Sequence, residues 1–475
     1  MNKFIGNIVN RILNKEYLNN DVIKQIAESN FKFLSDQSKE LLLTYINSND
    51  PLIAIDLWKN LLIDSICILK VNDSREKLYN DSKDLELFVD NFSKIRKSSS
   101  FGIDEIVKYF ADFIEFERVL YGTDEHYRDH VDHVLQVWAI GISLICHNEF
   151  ILDDGYIINS VTEFHFEILD SEDKKNEISI SKSEYWSMWT IISLCHDLGY
   201  PIEKTAKINK QAKKIISHFG NMNFSELNYS FDIFNTFLVD KFLNVISSKA
   251  DFYTDLNCTV IQTKYRDKFS KSLEDYKHGI FSSLLLFKNL TYFLETDYFV
   301  SKSNLNKEDL RQFFIRKEIL RSIAGHTCPK IYHINLNTLS FLLILSDELQ
   351  EWNRPNFNEF KYKIEGKEPT VEIKEFDMIG KQKIHICFKY DFEFKEIEIK
   401  NIVNRKFKNI HCLLRSAKDD KNRKIYFKWE IETKDKKYIF CFDSNENSFN
   451  QLDIKIQTRI KDNKFNEAIR YELYD

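Results

Sequence analysis

The sequence predicts an α+β protein, with a long helical region up to about residue 355 and a smaller, mainly antiparallel β region over 356–475. Apolar residues recur every three or four positions through the first part, as in "DVIKQIAESNFKFLSDQSKELLLTYI". After "EWNRP" the period switches to two, in "TVEIKEF", "KIHICFKYDFEFKEIEIK", "KIYFKWEIE" and "KYIFCF", with polar clusters such as "SAKDDKN" and "DSNENS" between the runs. Only 11 glycines and 5 prolines interrupt 475 residues, which favours long helices and few sharp turns.

Taken in order, residues 1–100 read as a helical N-terminal extension that ends in the polar "KIRKSSS" and carries no chemistry-bearing cluster. Residues 101–355 hold ten of the twelve histidines, from His126 to His333. In "EHYRDHVDHVLQVWAIGISLI", His133 shares a helix face with Val137, Ile140 and Leu144, and His130 and Asp129 lie one turn earlier. "EYWSMWTIISLCHD" places His196 on a stripe with Trp189 and Ile192, and its end carries His196 and Asp197 into "LGYP". "KHGIFSSLLLFKNLTYFL" begins with His278, and "RKEILRSIAGHTCP" ends with His326. In "NTLSFLLILSDELQEW", Asp347 falls in line with Leu343 and Ile344, where a carboxylate is expected to be shielded from water. The β region, 356–475, reads as an accessory module for packing or homo-oligomer formation, as does the N-terminal extension.

Each of these residues alone is an ordinary hydrogen-bonded core histidine or a buried ion-pair partner, and His126, His147, His165, His218 and His333 stay in that class. The set is different, because five helices each offer a His or Asp at an inward position or a helix end. Burying them all without a shared partner would be costly. Imidazoles mixed with carboxylates suit divalent transition ions such as Mn, Fe, Co, Ni or Zn, with Mg also compatible. Six ligand candidates exceed what one ion needs, so the expectation is two ions with Asp197 between them, a pair about 3.5–4 Å apart of the kind that supports in-line attack on phosphorus.

The order H…HD…H…H…D resembles the HD superfamily of metal-dependent phosphohydrolases, through "HVLQV", "CHDLG" and "LLILSDELQEW", over roughly residues 101–355. The resemblance implies an all-helical HD-type domain that hydrolyses phosphoester bonds, usually in nucleotides. His133, His196, Asp197 and Asp347 match its core ligands, and His278 and His326 match the added histidines of its two-metal branches. The subclasses are not matched completely. The "GYP" letters follow the doublet directly and lack the "HHE" pattern of HD-GYP phosphodiesterases. Deoxynucleoside triphosphate hydrolases commonly have a histidine where Tyr200 stands, and cyclic-nucleotide phosphodiesterases have a proton-donating histidine where this chain has Asp129 beside His130. Proton delivery is therefore expected from His130 or Asp129, with Lys204, Arg128 and Arg354 stabilising phosphate charge and Tyr200 or Tyr127 contacting the nucleotide. The leading function is deoxynucleoside triphosphate hydrolysis; a phosphodiesterase for cyclic or short linear nucleotides and a non-catalytic nucleotide sensor are the alternatives.

Other classes are disfavoured. A net charge of −6 provides no basic field for nucleic acid or anionic membrane. The eight cysteines form no CxxC pair, there is no GxxxxGK[ST] phosphate loop, and no run reaches the length of a membrane span. With no signal-peptide pattern at the start, a cytoplasmic location is expected.

Overall fold

The computed structural model describes residues 27, 33–47, 51–73, 102–121, 130–147, 180, 182–219, 233–251, 258–294, 307–328, 331, 338–350, 370–377, 383–390, 402–403, 406, 426–443, 453–458 and 469–472. Among the described residues, eleven helices of at least eleven residues run in chain order: α1 (Asp36–Ile46), α2 (Pro51–Asp73), α3 (Ile103–Tyr121), α4 (Val131–His147), α5 (Lys182–Cys195), α6 (Tyr200–Ile216), α7 (Ile233–Ser247), α8 (Thr263–Glu274), α9 (His278–Asn289), α10 (Lys307–Gly325) and α11 (Leu339–Leu349). A hairpin of β1 (Ser248–Asp251) and β2 (Cys258–Ile261) interrupts them between α7 and α8. The helical periodicity did not foresee this hairpin, which pairs only four residues on each side. Among the described residues, no helix is long and apolar enough to cross a membrane.

Tryptophans fasten the helices around the future site. Trp138 on α4 donates its indole N–H to Thr190 Oγ1 on α5 at 3.0 Å, and Trp189 on α5 donates to the Trp138 carbonyl at 3.0 Å. Both rings are fully buried, so this reciprocal pair satisfies two indole donors while fixing the register of the two helices. Trp58 on α2 donates to the Leu194 carbonyl at 2.9 Å, tying the N-terminal helices to the end of α5.

The second part is a six-stranded sheet of β3 (Thr370–Asp377), β4 (Lys383–Lys389), β5 (Tyr426–Glu432), β6 (Lys436–Asp443), β7 (Asp453–Thr458) and β8 (Ile469–Glu472), in that spatial order. Every neighbouring pair is antiparallel except β4 and β5, which run parallel. A parallel pair needs a crossover, and residues 390–425 supply the chain for it. Alternation sends Ile384, Ile386, Phe388, Phe427, Trp429 and Ile431 to one buried face. Lys406 joins the two parts: its ammonium lies over the Phe388 ring at 4.8 Å and donates to the Glu348 carbonyl at 2.8 Å, in the last turn of α11.

Candidate metal centre

The doublet His196–Asp197 lies in a turn over 196–199, between the end of α5 at Cys195 and the start of α6 at Tyr200, where the sequence carries it out of the helix. A helix end leaves carbonyls and N–H groups without intrahelical partners, and here neighbouring helices supply them. Ser282 on α9 donates to the His196 carbonyl at 2.6 Å and accepts from the Gly199 N–H at 2.7 Å. Tyr109 on α3 donates to the Leu198 carbonyl at 2.5 Å. A Cβ on Gly199 would lie 2.2 Å from the His278 carbonyl oxygen, so glycine is what lets α9 approach the turn.

Four imidazoles point at Asp197, and each has its Nδ1–H committed elsewhere. His196 donates it to the Ser193 carbonyl at 2.7 Å, His326 to the Ile323 carbonyl at 2.6 Å, His278 to Glu203 Oε2 at 2.8 Å and His133 to Gln350 Oε1 at 2.7 Å. The carbonyls and the carboxylate can only accept, which places the proton on Nδ1; Gln350 uses its own N–H₂ on Gln136 Oε1 and so presents its oxygen to His133. In the neutral rings every Nε2 is therefore a lone pair directed inward. This is how ligating histidines are held when the other nitrogen fixes the tautomer.

Around Asp197 the Nε2 atoms divide between its two oxygens. Oδ2 faces His196 at 3.4 Å and His133 at 3.6 Å; Oδ1 faces His278 at 3.3 Å and His326 at 3.7 Å. Asp347 Oδ1 adds a contact to His133 at 2.9 Å. Two sets of three can converge on an ion, His133–His196–Asp347 and His196–Asp197–His326. The donor chemistry fits cations: His278 and His326 bring two Nε2 atoms within 3.2 Å, where lone pairs alone repel, and the buried His196 Nε2 has no hydrogen-bond partner among the described residues. The helix turn carrying His326 comes this near α9 because residue 279 is glycine, where a Cβ would lie 2.8 Å from the His326 Nδ1.

Burial alone would push the Asp197 carboxyl up, but the imidazoles of His196, His278 and His326 more than offset it and hold it well below the ordinary carboxylate range. Asp347 is lowered in the same way: burial opposes its charge, and His133 with His196 outweighs that. Burial likewise disfavours charge on His278, yet Asp197 and Glu203 push it up to about 9, while burial and the neighbouring His278 and His196 lower His326. Without ions, the proton of this pair thus resides on His278.

All six expected ligands come together. One expectation is corrected: the Asp347 side chain keeps 34% exposure, because it sits in the last turn of α11, so it faces water on one side. His130 is buried and immediately precedes α4, which starts at Val131, so it is a cap residue and not part of the helix; its carbonyl accepts from Val134 N–H at 3.2 Å. Tyr200 has its ring centroid 4.0 Å from that of His130 and 5.3 Å from that of His278, and Lys204 lies over the Tyr200 ring at 5.0 Å. Asp129, Arg128, Tyr127 and Arg354 lie outside the described residues, as do His126, His165 and His333; His218 lies in an exposed 3-10 turn.

Three residues not anticipated from the sequence hold the histidines. Glu203 grips His278, Gln350 grips His133, and Glu117 on α3 accepts both the backbone N–H and Nδ1–H of His130 at 2.9 Å each. No protein-family model, curated protein or solved structure matches the chain.

Proposed function

We propose that the protein is a metal-dependent phosphohydrolase of the HD type that cleaves a phosphoester bond in a nucleotide, with deoxynucleoside triphosphates the preferred substrate class. The observation that carries this reading is Asp197, whose two oxygens each face two imidazole Nε2 atoms. His133, His196, Asp197 and Asp347 would hold one ion, and Asp197, His278 and His326 a second. Divalent ions there would supply Lewis acidity, lowering the pKa of water and neutralising charge on phosphoryl oxygens.

The chain's own residues then bind, orient and move protons. The partly exposed Asp347 marks a side of the cluster that solvent and substrate can reach. Lys204 and the Tyr200 ring, beside His278, offer a cation and an aromatic face to an anionic nucleotide. His130 serves as proton donor to the leaving oxygen: Glu117 takes its Nδ1–H and leaves Nε2 as the nitrogen for transfer. That same histidine, three residues before His133, favours the second reading, a phosphodiesterase for cyclic or short linear nucleotides.

The test is to incubate the protein with Mn²⁺, Fe²⁺, Co²⁺ or Mg²⁺ and a panel of nucleotides and to separate the products. Release of intact triphosphate supports the leading reading, and ring-opening of cyclic substrates supports the second. Nucleotide and metal binding with no turnover in any combination would overturn both in favour of a sensor.

A further inference from the structure

The two halves of the cluster are not equivalent in charge. Asp347 faces His133, on the Oδ2 side of Asp197; on the Oδ1 side, no carboxylate besides Asp197 meets the Nε2 atoms of His278 and His326 among the described residues. The second-layer partners differ as well. His196 and His326 lean on backbone carbonyls and His133 on a carboxamide, all neutral, whereas His278 leans on the carboxylate of Glu203.

Glu203 is held to this task. Its Oε2 also accepts the backbone N–H of His278 at 3.1 Å, at the first turn of α9, so one oxygen fixes both the position of the residue and the rotation of its ring. It lies in the first turn of α6, six residues after Asp197, so the braced turn that presents the doublet also aims this carboxylate. A carboxylate behind an imidazole raises the basicity of the nitrogen on the far side, and losing such a partner typically weakens metal affinity about 10–100-fold.

We infer that Glu203 is a positioning and charge-supplying residue for the His278–His326 half of the centre, doing through the His278 ring what Asp347 does directly for the other half. The inference rests on the two-ion reading above and makes the second ion's affinity depend on a residue that touches neither ion. Glu203→Gln separates charge from shape, because the amide oxygen can still accept both N–H groups.

The experiment titrates Co²⁺ into wild-type, Glu203→Gln and Glu203→Asp protein, following visible absorption and calorimetric stoichiometry. The expected result is two ions in wild type, with the weaker site loosened about 10–100-fold in Glu203→Gln, the other unchanged, and substantial rescue in Glu203→Asp. Retention of one tight ion certifies that the variant is folded. Two wild-type sites left unchanged in Glu203→Gln, or loosened equally, would overturn the inference and leave the metal centre standing. A wild-type protein that takes up no Co²⁺ would overturn both.

Discussion

Two carboxylates in this molecule are ringed by nitrogen atoms, and the rings are built differently. Glu430, buried in the sheet, meets Lys428 Nζ at 2.6 Å, Lys374 Nζ at 2.7 Å, His385 Nε2 at 3.3 Å and Lys437 Nζ at 3.4 Å. Asp197 meets four imidazole Nε2 atoms at 3.3–3.7 Å. Both carboxyls are held well below the usual range against the cost of burial, Glu430 by His385, Lys374 and Lys428, and Asp197 by its imidazoles. The partners of Glu430 include three ammonium groups that bring their own protons, two of them at full hydrogen-bond contact, so that ring is closed. The partners of Asp197 are imidazoles whose Nδ1 protons are turned outward, and their Nε2 atoms stand at 3.3–3.7 Å, longer than a full hydrogen bond. A closed ring holds a sheet together; an open one has room for a cation.

That contrast can be broken experimentally. The largest effect belongs to His196→Ala combined with Asp197→Ala, which should strip ions from both halves and lower hydrolysis by about 10³-fold or more, the scale of losing preorganised charge at a reacting phosphate. Metal analysis together with turnover checks it; retained metal and full activity would remove the site. Next, His130→Ala should lower turnover by about 10²-fold while metal content stays near wild type, because His130 belongs to neither group of ligands. Metal loss in this variant would make His130 a ligand instead of a donor.

Glu430→Gln sharpens the other side of the comparison. It leaves the lysines facing a neutral group and should destabilise the protein by about 1–3 kcal/mol, read as a lower urea midpoint, with no change in metal stoichiometry. The smallest expected effect is in pH dependence, where the two rings act on opposite limbs. Glu430 is lowered, so its contribution is present above its unfolded value of about 4.5 and is lost as pH falls below that. His278 is raised to about 9, so in the ion-free protein its contribution is complete below about 6.5 and is lost as pH rises towards 9. Urea midpoints at pH 6.5 and 9 should therefore differ in ion-free protein and converge in His278→Asn; an equal slope in both would place the proton elsewhere.

The residues that gather around Asp197 were legible in the sequence as candidate ligands because each stands on an apolar stripe or at a helix end, where a polar group needs a reason to be. Their holders were not. Glu203 reaches His278 across 75 residues of chain and Gln350 reaches His133 across 217, and an acidic or amide residue on a helix looks like solvated surface until its partner is placed. The exposure of Asp347 was misread for a related reason: helix periodicity gives direction, not how much protein covers the last turn. In the β region, alternation marked β3 to β6, while β7 and β8, with six and four residues, were too short to stand out, and the parallel pairing of β4 with β5 is a matter of topology that alternation does not encode.

Lys406 bears on where one folding unit ends and another begins. Its ammonium, buried and almost without exposure, satisfies the Glu348 carbonyl and pairs with Glu348 Oε2 at 3.5 Å, one residue from Asp347. A chain cut after residue 355 would retain every proposed ligand and still lose the group that terminates the turn on which Asp347 sits. The change from period three-and-a-half to period two near residue 355 marks a change of secondary structure, and the buried contacts of Lys406 run across it.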